Sequence, residues 1–104
     1  MNHESYIYIF IRNDLSKEQQ IIQSAHAIYK TCLLVKSSDT TVPNIVLIDV
    51  SGEDELFEVR EYLKRNGIKH EMFYEPDIRA NTAIASYPIS GDARTPLLSF
   101  DTMK

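Results

Sequence analysis

The chain has 104 residues, 43% hydrophobic and 25% charged, with a formal net charge of −4. That length supports one modest core and excludes two. The acidic balance argues against a surface built to hold a long polyphosphate backbone, since such surfaces carry clustered Lys and Arg.

The single cysteine, Cys32, excludes an intramolecular disulfide and reads as a buried, inert thiol in a reducing cytosol. The first residues are polar and lead into a strand at Tyr6, which is not a signal-peptide pattern. No apolar run approaches the length of a membrane span. The expectation is one cytoplasmic domain over residues 1–104, with order throughout except at the two ends.

Tyr6 to Arg12 reads as a strand that is apolar on both faces, as interior strands of α/β sheets are. Ser16-Lys17-Glu18-Gln19 has capping-box spacing and opens a helix running to about Val35. Ile21, Ile22, Ala25, Ile28, Tyr29, Cys32 and Leu33 form its apolar stripe, expected to face the core. Gln19, Gln23, His26 and Lys30 sit at i, i+4, i+7 and i+11 and form a polar stripe beside it.

Ser37 to Val42 reads as a polar loop ended by Pro43, and Asn44 to Val50 as a second strand. Ser51-Gly52-Glu53-Asp54 starts a second helix with Leu56, Val59 and Leu63 at i, i+3 and i+7. Gly67 after Asn66 is a helix stop, because glycine accepts the left-handed conformation without steric cost. Lys69 to Glu75 and Thr82 to Tyr87 read as strands three and four, separated by a loop at Pro76-Asp77. Pro96 to Phe100 is expected to pack back on the sheet.

The resulting order is β-α-β-α-β-β. Two helical crossovers imply at least one parallel strand pair, and the short last connection permits an antiparallel final pair. The fold class is therefore α/β, with a mixed four-stranded sheet and helices packed on it.

Arg12-Asn13-Asp14-Leu15 after an apolar strand, followed by a helix carrying Gln23 and His26-Ala27, resembles the start of the type 2 peptidyl-tRNA hydrolase family. Phe73-Tyr74-Glu75-Pro76-Asp77 and Thr82-Ala83-Ile84-Ala85 resemble that family's later acidic loop and last strand. The resemblance extends over nearly the whole chain in element order and implies the family's fold and a homodimer. It also implies catalytic positions, and these are altered. Where the family keeps a lysine, four residues before the helical glutamine, this chain has Gln19. The family's loop aspartate corresponds to Glu75 and its threonine to Arg79, with Asp77 available if the loop shifts.

Each candidate carries a plainer alternative. Gln19 either closes the capping box with Ser16 or contacts a ligand. Gln23 and His26 are either a solvated face or the lining of a pocket, where His26 would donate and accept hydrogen bonds. Glu75, Asp77 and Arg79 form either a loop ion pair or a ligand site with Arg79 as a bidentate phosphate clamp. Arg12 is a ligand-binding cation at a strand end or the structural partner of Asp14. The three histidines lack metal-ligand spacing, and neither a Gly-rich phosphate loop nor a dinucleotide fingerprint is present, so neither a metal nor a cofactor is expected.

Two function classes follow. The first is a binding protein that holds a nucleotide-type ligand without turning it over, through Arg12, Asp14, Gln19, Gln23, His26, Glu75, Asp77 and Arg79. Such a domain would suit a phage or mobile-element protein that sequesters a nucleotide immune signal. The second is an active peptidyl-tRNA hydrolase acting on the tRNA 3′ end. Glu75 or Asp77 would then orient water, while Gln23 and His26 polarise the ester carbonyl. A protein-interaction module using an exposed sheet edge is a third reading.

Overall fold

The apolar run at the start of the chain becomes the strand β1, Tyr6–Arg12, buried without interruption from Ile7 to Ile11. A strand buried on both faces has to lie inside a sheet with a layer on either side. The computed structural model describes residues 4–35 and 41–102. Its further elements are α1 (Lys17–Leu34), β2 (Asn44–Val50), α2 (Glu53–Arg65), β3 (His70–Glu75), β4 (Ala80–Ser86) and a 3-10 segment (Gly91–Thr102).

The strand order is β2-β1-β4-β3. β1 and β2 run parallel, in register from Tyr6 opposite Asn44 to Arg12 opposite Val50, as a helical crossover requires. β4 lies antiparallel to both β1 and β3. The mixed four-stranded α/β sheet expected from the element order is present.

The side-chain period of two sends alternate residues of β1 to opposite faces. Tyr8 and Phe10 join Ile48, Val50, Leu56, Val59, Leu63, Ile84 and Leu97 in one core layer, covered by α2 and the 3-10 segment. Leu56, Val59 and Leu63 are the buried residues of α2, as their spacing predicts. Gly67, at φ +67°, closes that helix: its N–H donates to the Lys64 carbonyl and that of Ile68 to Leu63. The tail packs back as expected. Phe100 meets Phe10 and Tyr62 edge-on, and the Tyr62 hydroxyl donates to the Pro96 carbonyl at 2.6 Å.

Ile7, Ile9 and Ile11 form the other layer with Ala27, Ala83 and Ala85. Here the structure reverses an expectation. The buried residues of α1 are Gln23, Ala27 and Thr31, not its apolar stripe. Ile21, Tyr29 and Leu33 are 71%, 68% and 66% exposed. Cys32, expected to be buried, is exposed as well, because it belongs to the same outward face. The reason lies in what the sheet offers at this point. β4 presents Ala83 and Ala85, so a helix with small residues can approach closely. Thr82, Glu75 and the Ala85 carbonyl supply hydrogen-bond partners for the polar groups that come with it.

β3 and β4 begin a residue or two from where the sequence suggests, with β4 starting at Ala80 rather than Thr82. Most of the expected Ser37–Val42 loop lies outside the described residues. No helix among the described residues is long and apolar enough to cross a membrane.

Candidate functional site

The polar stripe of α1 lies against the edge strand β3. Ser16 starts the helix by accepting the Gln19 backbone N–H at 3.1 Å, which is the expected N-cap bond. The Gln19 side chain does not reciprocate. Its Oε1 instead accepts from Gln23 Nε2 at 3.1 Å, one turn on.

Gln23 is the node of the cluster. Its second amide proton goes to Glu75 Oε1 at 2.9 Å, and its Oε1 accepts the Thr82 hydroxyl at 2.9 Å. At 1% exposure it has no surface to offer a ligand, and its amide N–H groups are both used. Thr82 reaches it because of a β-bulge. Phe73 pairs with Ala83 but Tyr74 pairs with Asn81, so Thr82 has no partner residue on β3. A bulge of this kind re-aims the extra side chain.

Glu75 is held on both oxygens. Besides the Gln23 amide on Oε1, the Asp77 backbone N–H donates to Oε2 at 3.3 Å. The Gln23 hydrogen bond first, and the Asp77 N–H second, hold its carboxyl below the usual range of 4.5. His26 Nδ1 stands 3.7 Å from Glu75 Oε1, and the ring lies against Phe73 at 4.8 Å between centroids. The His26 side chain is 45% exposed and that of Glu75 only 13%, so the imidazole forms the outer wall and the carboxylate the floor. Lys30 completes the stripe by donating to the Met72 carbonyl at 2.9 Å, with Glu71 3.9 Å away.

Gln19, Gln23, His26 and Glu75 are therefore brought together as the sequence suggests. Four other candidates are not part of this cluster. Arg12 forks onto Asp14, with Nε to Oδ1 at 2.9 Å and a second nitrogen to Oδ2 at 2.8 Å. The same guanidinium donates to the Asn81 carbonyl, while Asn81 donates to Glu53 of α2. Arg12 and Asp14 thus serve as a structural tie toward the α2 side of the sheet. Their contact draws the Asp14 carboxyl below its ordinary value and raises the Arg12 guanidinium. The tie arises because β1 alternation turns Arg12 to the face of Tyr8 and Phe10, opposite α1.

Asp77 contributes only its backbone N–H, and of the two loop carboxylates Glu75 is the one that faces the helix. Arg79 is exposed on the hairpin, at φ +53°, and its side chain has no ion pair among the described residues. On this turn Arg79 stands outside the hydrogen-bonded cluster.

Sequence reasoning missed Thr82 as a site residue, since its role depends on the bulge and no local pattern announces one. It also missed Phe73 as the support of His26. Among the described residues no group of three or more His, Cys, Asp or Glu side chains is placed to hold a metal ion.

No family model matches the chain. No curated protein matches it either. Among solved structures it is similar to a protein of unknown function, Atu0240, from Agrobacterium tumefaciens strain C58. The TM-score is 0.62 at 12% sequence identity, over 95% of this chain and 94% of that one. What the two chains share is the fold, over almost their entire length.

Proposed function

We propose that the chain binds a nucleotide-type ligand at the α1–β3 cluster and does not turn it over. The observation that carries this reading is the state of Glu75, engaged on both oxygens and held below the usual carboxylate range. A general base for water attack works best with a pKa raised toward the working pH. That of Glu75 is shifted the other way, while the lone pairs its two hydrogen bonds leave free can still accept. A fixed, ionised acceptor suits ribose hydroxyls or an exocyclic amine instead. The Gln19 amide N–H2 and the exposed His26 ring stand at the rim as donors or acceptors for a base edge.

The ligand is nucleoside-like rather than a long phosphate chain, given the net charge of −4 and the nearby Asp77. Arg79, outward on the hairpin, is the cation available to a single phosphate. A domain of this kind would sequester a nucleotide signal, the role suited to a phage or mobile-element protein, and would act in the cytoplasm as a homodimer.

Isothermal titration against mono-, di- and cyclic nucleotides tests the reading, with His26→Ala and Glu75→Gln as controls. Heat in the wild type that both substitutions weaken supports it, and no heat across the panel would sink it. One observation favours a hydrolase: Gln23, His26 and Glu75 do converge. Cleavage of peptidyl-tRNA by the wild type, lost in Glu75→Gln, would replace the binding reading with that one.

A further inference from the structure

The helix α1 is amphipathic, yet its polar and small residues face its own sheet. Its ridge of Ile21, Ile22, Ala25, Tyr29 and Leu33 faces away from the sheet, with no charged residue among them. The same side of the sheet is only half covered. α1 packs over β4, β3 and β1, and leaves Ile45 and Leu47 of the edge strand β2 each 54% exposed. Between helix and edge strand runs a groove of about 460 Å³, lined by Ile7, Ile28, Cys32, Val35, Val42 and Ile45 among others. One molecule thus presents an uncharged apolar ridge and, beside it, a bare apolar trough.

We propose that this face closes on a second copy of the chain about a twofold axis, the α1 ridge of each copy covering the bare β2 half of the other's sheet. This deepens the homodimer in the proposed function by assigning its surface. Three observations single out a second copy as the occupant. Ridge and trough lie side by side on one face, so a rotation that exchanges left and right brings each onto the other, the condition for a closed isologous pair. Ile21, Ile22, Tyr29, Leu33, Ile45 and Leu47 are six large apolar side chains, each 42–71% exposed on this one face, an apolar surface of the kind and scale a standard interface of about 800 Å² per partner draws on. The composition is that of an interface core, with a tyrosine among aliphatic residues and charges kept to the margin. In the pair, α1 lies between two sheets, and each of its faces meets the surface it matches.

Cys32 lies on the flank of the trough and reports on it, being exposed in the single chain. Sedimentation equilibrium is run on the wild type, Leu33→Glu and Leu47→Glu, and Cys32 is titrated with a thiol reagent in each. The wild type is expected to be a dimer with slowly reacting Cys32. Either glutamate should weaken association by roughly a hundredfold or more and expose the thiol, with circular dichroism unchanged. The two substitutions sit on ridge and trough separately, so if one fails to fold, the other decides. A monomeric wild type overturns both this surface and the homodimer. A dimer that survives both glutamates, with Cys32 freely reactive, overturns the surface and leaves a homodimer joined elsewhere. Nucleotide titration is independent of all three results.

Discussion

Gln23 is the residue on which the cluster turns, because it alone contacts the helix, the edge strand and the bulge. Replacing a buried amide with a similar-sized apolar group leaves its partners stranded. Gln23→Leu deprives Glu75 Oε1 of its amide donor and the Thr82 hydroxyl of its acceptor. The expected loss is about 1–3 kcal/mol, read from urea denaturation at neutral pH. Glu75 carries the pH dependence. Its folded pKa is depressed below the ordinary 4.5, so its stabilisation is complete above that value and disappears as pH falls through the lower folded value. Glu75→Gln should therefore flatten the acid limb of a stability profile between about pH 4.5 and the folded pKa. Asp14 acts in the same direction below its ordinary 3.8, but its side chain is 44% exposed and solvent reduces its share.

At the scale of elements, the strands and α2 were legible because burial dictates them. An unbroken apolar run from Tyr6 to Ile11 can only be an interior strand, and Leu56, Val59 and Leu63 describe one helix face. The helix α1 was legible as a helix, from its cap and its period, but not in its orientation. Periodicity reports that two faces differ and is silent on which meets the sheet. That choice was made by Ala83, Ala85 and Thr82, residues more than fifty positions later, whose small size and hydrogen bonds admit Gln23, Ala27 and Thr31. The convergence of Gln19, Gln23, His26 and Glu75 could be read from one stripe plus one loop. The exclusion of Asp77 and Arg79 could not, since it depends on turn geometry. Close approach at the fully buried Ala27 seats the helix, so Ala27→Leu should destabilise by about 1–3 kcal/mol through overpacking, checked by thermal denaturation.

Across the whole molecule, the two sheet faces are covered by different means. One carries α1 over β4, β3 and β1 and stays open along β2. The other is shared between α2 and a 3-10 segment at the far end of the chain, which places Leu97 in the core and Phe100 against Phe10. Arg94 adds a second clasp by stacking over the Tyr6 ring at 3.4 Å and donating to the Tyr8 hydroxyl at 2.9 Å. The tail is thus a structural layer rather than an appendage. Leu97→Ala should cost roughly 2–5 kcal/mol, as for any fully buried leucine. Ending the chain after Ser90 should abolish cooperative unfolding, followed by circular dichroism on heating.

The bulge at Thr82 has a consequence for how this sheet tolerates change. It works as a phase shifter: residues before it in β4 point to faces that plain alternation would assign to their neighbours. Deleting one residue there would restore even pairing with β3 and make a tidier hairpin. It would also rotate the hydroxyl away from Gln23, so the damage would surface in the helix, on the other side of the layer. Length at this point of the strand is read by α1, and a one-residue edit that looks harmless locally breaks the coupling between the hairpin and the helix.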